Sequence, residues 1–315
     1  MLGLFDASPS TTCTKNRALM TPHFDAMFNN LLAADPSETV NGIPIFSKRT
    51  LADRENDPYD RDDVEATLYT GLAFGFQLLM HKGRVGFGGT EGLYRTVSSF
   101  AAMALRSDAE QCILDLGCGV GRTIYDCAPR YPHSLFVGMD HAYTMCRRAK
   151  EILIEGLPIS LDGPKGCNSD KYWAGRGFPN MVFANSLTLE NVRIVQGSAT
   201  RLPFKDNLFD CVISTFMLDR VQDLSLPAPN DILMAISEMA RVMKAGGRLI
   251  LSTPMNFTRL RDWAQISSAD GLVQAIEEAG ISIREKFDGL PYREIQDSRG
   301  NYHEWLSLVV SGEKQ

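Results

Sequence analysis

An acid followed by three glycines at alternate positions, Asp115, Gly117, Gly119 and Gly121 in CILDLGCGVGRT (residues 112–123), ends an apolar stretch and opens a helical one. Glycines so spaced permit a tight turn and let a ligand lie directly against the backbone, facing the first amides of the following helix. Thr123 adds a hydroxyl to that first turn. A dinucleotide would suit such a loop, but its GxGxxG fingerprint needs glycine at 122, where the chain has Arg122. Nineteen residues beyond Gly121, the apolar run SLFVGMD ends in Asp140. A carboxylate there can accept both hydroxyls of a ribose, or cap the helix that begins in HAYTM; the two roles are compatible.

Two further stretches follow in order: VQGSATRLPFKDNLFDCVISTFMLDRV (195–221) and EMARVMKAGGRLILSTP (238–254). Together with DLGCGVGR and Asp140 they resemble the motifs of class I S-adenosylmethionine-dependent methyltransferases, firmly over about 110–255 and by topology to 312. The resemblance implies S-adenosylmethionine as cofactor and no metal. It implies that Asp115, Gly117, Gly119 and Gly121, with Thr123, hold the methionine end, that Asp140 holds the ribose, and that His141 and Met145 flank the adenine. Ser198 stands where the family usually has an aspartate, which puts the adenine contact of Ser198 and Ala199 in doubt, although a hydroxyl can still accept a hydrogen bond. Thr215 and Phe216 fall where the family places backbone contacts to the cofactor and the opening of the substrate cavity. Ala245 replaces the family's proline before Gly246 and Gly247.

The elements that must position these residues alternate as βαβ units from Ile113 onward, the mark of a mostly parallel sheet. The pattern predicts strands near 112–117, 134–139, 192–196, 208–214, 247–253, 281–287 and 303–311. It predicts helices near 122–131, 142–155, 229–244 and 269–279. The last two strands are joined by GLPYREIQDSRGNYHE, too short for a crossover helix, so they pair antiparallel. The expected fold is α/β: a Rossmann-like sheet of seven strands, mostly parallel with the last antiparallel. Residues 111–315 form the cofactor-binding domain, with an insertion at 155–190 far longer than an ordinary connection. Residues 1–110 form a mainly helical N-terminal extension. It includes an acidic stretch, Asp53 to Glu65, read as a solvated loop, a helix apolar nearly all round (64–80), and a further helix at 93–105. The extension and the insertion, which carries Tyr172, Trp173, Phe178 and Phe183, are read as substrate cover; a homodimer contact is an equal reading of the insertion.

Methyl transfer needs a general base only where the nucleophile carries a proton. Asp219 and Arg220, just past Phe216, are the foremost candidates, followed by His81, Tyr94 and His303. Tyr292, Arg293 and Glu294 lie in the stretch between the last two strands.

Composition narrows the rest. The 315 residues carry 32 Lys and Arg against 38 Asp and Glu, a formal charge of −6, with the basic residues spread along the chain. That argues against nucleic-acid binding, which needs concentrated positive charge. Seven cysteines without a CxxC pair offer neither a disulfide framework nor a common zinc spacing. The longest uncharged run, Ala66–Met80, is too short to span a bilayer, and MLGLFDASPS lacks a basic leader, so the expected compartment is reducing cytosol. The expected partner is a small-molecule acceptor, lipophilic or aromatic. A peptide or protein methyltransferase, a cofactor-binding subunit or cyclase that transfers no methyl, and a nicotinamide dehydrogenase are the alternatives.

Overall fold

The strand that ends at Asp115 and Leu116 lies at the centre of a nine-stranded sheet, and every other element is placed relative to it. The computed structural model describes residues 22–47, 69–75, 88–160, 182–185, 187–221, 230–257, 266, 268–295 and 302–315. The strands are β1 (Glu38–Val40), β2 (Ile43–Ile45), β3 (Cys112–Leu116), β4 (Leu135–Asp140), β5 (Ile159–Ser160), β6 (Val182–Phe183), β7 (Val192–Gln196), β8 (Phe209–Thr215), β9 (Met243–Thr253), β10 (Ile281–Ile295) and β11 (Tyr302–Lys314). The main sheet runs β1-β2-β7-β4-β3-β8-β9-β11-β10, and β5 and β6 form a separate antiparallel pair within the insertion. β11 is antiparallel to both of its neighbours, as expected for the last strand.

The helices are α1 (22–31), α2 (Gly88–Ala104), α3 (Arg122–Cys127), α4 (Tyr143–Leu153), α5 (Asn230–Val242) and α6 (Ala269–Glu278). Side chains alternate across the strands and build two cores. Ile113, Phe136, Ile213 and Ile250 pack with Val97 and Phe100 of α2, Ile124 of α3 and Cys146 of α4. Leu114, Val137, Val212 and Leu251 pack on the other face with Phe24 and Phe28 of α1, Ile236 of α5 and Ile276 of α6. The near-continuous apolar strands 112–116 and 135–139 follow from this two-sided burial.

Four boundaries differ from expectation. The sheet has nine strands instead of seven, because β1 and β2 of the N-terminal segment join its β7 edge through the Ile45↔Gln196 pair. Asn41 and Gly42 make their hairpin turn with φ of 50° and 73°, the paired positive values that an Asn-Gly loop supplies. α5 ends at Val242, two residues before Lys244, and β9 begins at Met243. β10 and β11 run well into the stretch expected as a loop: a bulge between Phe287 and Leu290, with Gly289 at φ 80°, absorbs the turn-forming residues without ending the strand. Finally, the helix after Gly121 ends at Cys127 and gives way to a 3₁₀ turn over Ala128–Arg130, where Pro129 cannot continue the α-helical ladder.

Candidate cofactor site

The chain passes from β3 to β4 and β7 on one side of the sheet, then returns to β8 and β9 on the other. The loop after β3 therefore opens where the strand order reverses, the crevice in which α/β sheets bind ligands. The loop is tied to β4 by the amides of Gly117 and Cys118, which donate to the Met139 carbonyl at 2.8 and 3.0 Å. At Gly117 φ is +75°, and a Cβ would lie 2.3 Å from Cβ of Met217, so only glycine fits. Gly119 differs in kind: among the described residues nothing lies within 4 Å of where its Cβ would be. The loop thus has one filled side and one open side.

These contacts predict a separation of effects. Gly117→Ala should lower stability by about 2–4 kcal/mol through strained φ and the collision with Met217. Gly119→Ala should cost only about 1–2 kcal/mol of stability, from its φ of +52°, yet weaken cofactor binding, because its methyl occupies the open side. Urea midpoints set against ligand titrations separate the two.

Asp140 ends β4 with both carboxylate oxygens aimed by backbone donors: Oδ2 accepts from Gly119 N and Oδ1 from Ala142 N, each at 2.9 Å. The carboxylate ties the glycine loop to the turn that leads into α4, whose N-cap residue, Ala142, makes no side-chain cap. Behind the loop, Asp115 is 2% exposed, and among the described residues neither of its carboxylate oxygens has a hydrogen-bond partner. Desolvation first, and the charge of Asp140 second, push its carboxyl up to about 8. A carboxyl held neutral in this way ionises once a cation comes to lie beside it. An open loop side, an unpartnered acid behind it and an oriented carboxylate beside it fit the ammonium, sulfonium and ribose diol of S-adenosylmethionine.

The other expected residues fall into two groups. Thr123 and Thr215 bring their hydroxyls within 3.4 Å of one another, linking α3 to the end of β8. Phe216 follows with φ 57°, its amide bonded to the Ser252 carbonyl, and its ring meets Tyr292 edge-on at 4.6 Å. These residues gather at the same edge of the sheet as Asp115 and Asp140. Met145 is buried in the core beneath the site, and His141 is exposed, with its carbonyl accepting from Gln196 Nε2 at 2.8 Å. Ser198 turns its hydroxyl to Thr200, 2.9 Å away, so that oxygen is already engaged in its own turn, beside Ala199. The short serine closes a local turn where a longer aspartate would reach outward.

Of the candidate bases, Asp219 lies in the 3₁₀ turn Leu218–Arg220 with a fully buried side chain, 3.4 Å from Nε of the half-exposed Arg220. Burial pushes its carboxyl up to about 6, against the opposing pull of Arg220. The Tyr94 phenol is pushed up to about 12 by desolvation and stays protonated at neutral pH, which weighs against its acting as a base. His303 sits on β11, away from the glycine loop in sequence, and His81 lies outside the described residues, as do Asp53–Glu65 and residues 161–181 with Tyr172, Trp173 and Phe178.

Reading from sequence missed Arg122. It is 3% exposed, its Nε bonds to Asp126 Oδ2 at 2.9 Å, and its Nη1 donates to the Ala73 carbonyl. Its Cζ lies 4.9 Å from the Tyr94 ring centroid and 5.4 Å from that of Phe74. The one available signal was an arginine where a dinucleotide loop would need glycine.

Residues 177–251 match the family described as "Methyltransferase domain", a match that takes in β7, β8, α5 and most of β9. Over 68 residues the chain is 41% identical to the ubiquinone/menaquinone biosynthesis C-methyltransferase UbiE of Marinomonas sp. (strain MWYL1), covering 22% of this chain and 24% of that protein. It is 46% identical over 65 residues to a demethylmenaquinone methyltransferase of Mycobacterium marinum, covering 20% and 25%. The chain thus spans about a quarter of the length of the curated relatives it matches. Among solved structures, a TehB-like SAM-dependent methyltransferase from Corynebacterium glutamicum is similar at a TM-score of 0.46 and 18% identity, covering 81% of this chain and 100% of that one.

Proposed function

We propose that this chain, a class I S-adenosylmethionine-dependent methyltransferase by its motifs, family match and fold, transfers a methyl group to a small lipophilic or aromatic molecule. The observation that carries the cofactor reading is Asp115, a buried acid with no hydrogen-bond partner among the described residues, directly behind a glycine loop whose outer side meets none of them. S-adenosylmethionine supplies an electrophilic methyl group when bound. The residues that would hold it are Asp115 and the 117–121 backbone at the methionine end and Asp140 at the ribose.

The protein's own part is positioning and exclusion of water. Asp140, fixed by two backbone amides, orients a ribose without reorganising. The Phe216 and Tyr292 rings, set edge-on beside the same edge of the sheet, favour a flat apolar acceptor. The relatives named for quinone C-methylation make quinols and phenols the first acceptors to test. For such acceptors Asp219 is the foremost candidate to take the proton, since its carboxyl titrates near neutrality. Arg220 beside it favours the carboxylate form that must be present before the proton is taken.

We assign the insertion at 155–190 and the segment before 110 to covering the acceptor. The compartment we assign is reducing cytosol, supported by seven cysteines without a CxxC pair in the sequence. Among the described residues no helix is long and apolar enough to cross a membrane.

Calorimetric titration with S-adenosylmethionine and S-adenosylhomocysteine, with NAD as control, tests the cofactor reading. Micromolar binding of the first two and none of NAD is expected; saturable NAD binding alone would sink it. Release of S-adenosylhomocysteine with a quinol or phenol then tests the acceptor class. If deleting the insertion leaves both cofactor affinity and turnover unchanged, the insertion covers nothing.

A further inference from the structure

Arg122 joins two parts of the chain that the sequence keeps far apart. It directly follows the last glycine of the loop and begins α3, and its guanidinium is buried among groups of the N-terminal segment. Ala73 and Phe74 come from a π-helical turn, Gly71–Gly75, and Tyr94 comes from α2. π-helical turns are rare and recur at functional sites. Here the turn turns a backbone carbonyl, that of Ala73, to a side chain on the cofactor helix. The two rings sandwich the cation's surroundings, and Asp126 on the same helix supplies the counter-charge.

A buried guanidinium with these partners is a costly way to fill a core, since apolar side chains of similar volume usually stabilise as much or more. What it supplies instead is geometry. Only a planar group with several donors meets a carboxylate, a backbone carbonyl and two ring faces together. α2 also packs on β9, β10 and β11 and so carries the contact across the sheet toward Tyr292. Anything that fixes the start of α3 therefore fixes the arginine, and through it the turn at 69–75 and the start of α2.

We propose that Arg122 is a positioning residue that couples occupation of the glycine loop to ordering of the 69–75 turn and α2, so that the acceptor site is completed only after the cofactor binds. This rests on the methyltransferase reading above. Because coupling is reciprocal, an ordered N-terminal segment also strengthens cofactor binding by the same factor.

Hydrogen exchange on the full chain, with and without saturating S-adenosylhomocysteine, tests it. In the wild type the ligand should slow exchange in peptides spanning 69–75 and 88–104 by about tenfold, as well as in 112–127. In Arg122→Met the protection at 112–127 should persist while that at 69–75 and 88–104 falls below about twofold, and affinity for the ligand should drop by no more than about tenfold. An arginine that merely stabilises the fold would speed exchange equally with and without ligand, leaving the ratio unchanged; that result overturns the proposal. Phe74→Leu, which keeps the guanidinium and its ion pair but removes one ring, gives the same loss of ratio if the arginine variant does not fold. Wild-type protection confined to 112–127 also overturns the coupling while leaving the cofactor site standing. Absence of any protection and of any binding heat overturns the methyltransferase reading and this inference together.

Discussion

Replacing Asp140 by alanine lowers affinity for S-adenosylmethionine and S-adenosylhomocysteine about 100-fold, close to 3 kcal/mol for losing charge-assisted hydrogen bonds to a buried ligand. Part of that loss is indirect. The same carboxylate holds the Gly119 amide at 2.9 Å, so the variant also frees the residue that forms the open side of the loop. Asp140→Asn separates the contributions: its amide oxygen can keep one backbone contact, while its NH₂ faces a donor where an acceptor is needed. The expected order of affinity is wild type, then asparagine, then alanine. Calorimetry measures it, and alanine binding as tightly as wild type would place the ribose elsewhere.

The second large effect is on pH. Burial and the neighbouring charge of Asp140 push the Asp115 carboxyl up to about 8 in the ligand-free fold, whereas a carboxyl in the unfolded chain loses its proton near its ordinary value of 3.8. The sign follows directly. A carboxyl raised in the folded state contributes stability at low pH that is lost as pH rises from about 4 to about 8, because the unfolded chain gives up its proton first. A cationic ligand reverses this by favouring the ionised form, so binding expels the proton. Below pH 8 the affinity for S-adenosylmethionine should rise by up to about tenfold per pH unit, with close to one proton released near pH 7. Titration in buffers of different ionisation enthalpy counts that proton. Asp115→Asn should remove the release and flatten the slope, leaving only the ligand's own titration. It should also weaken binding most at pH 8.5, where the wild-type carboxylate is charged. An unchanged slope in the variant would mean that Asp115 does not face the ligand's charge.

Both predictions concern residues that were legible in the chain itself. Strands β3, β4, β7 and β8 stand within one residue or so of their expected bounds, because burial on both faces leaves a run of apolar residues that a polar turn must end. The glycine loop was legible for a similar reason: a positive φ and a close approach leave few residue types open. Less legible was the role of single polar side chains. Nothing adjacent to Ser198 says that its hydroxyl bonds Thr200, and nothing near Arg122 says that its partners are Ala73 and Phe74, about fifty residues away.

The hairpin at β1 and β2 stands between these cases. Asn41-Gly42 is a strong turn signal within the sequence, but whether the hairpin stays apart or joins the β7 edge depends on a single parallel pairing with Gln196. In the same way Gly289 and Pro291 carry turn chemistry, and only pairing with β11 decides that the strand bulges there and continues to Ile295. Sequence alone determined the alternation of strand and helix, the glycine loop and the acid that closes β4, since periodicity, steric exclusion and local hydrogen bonding act within a few residues. Tertiary structure decided the extent of the sheet, the burial of Asp115 and the burial of Arg122 against the N-terminal segment, since desolvation and charge depend on which distant surfaces meet.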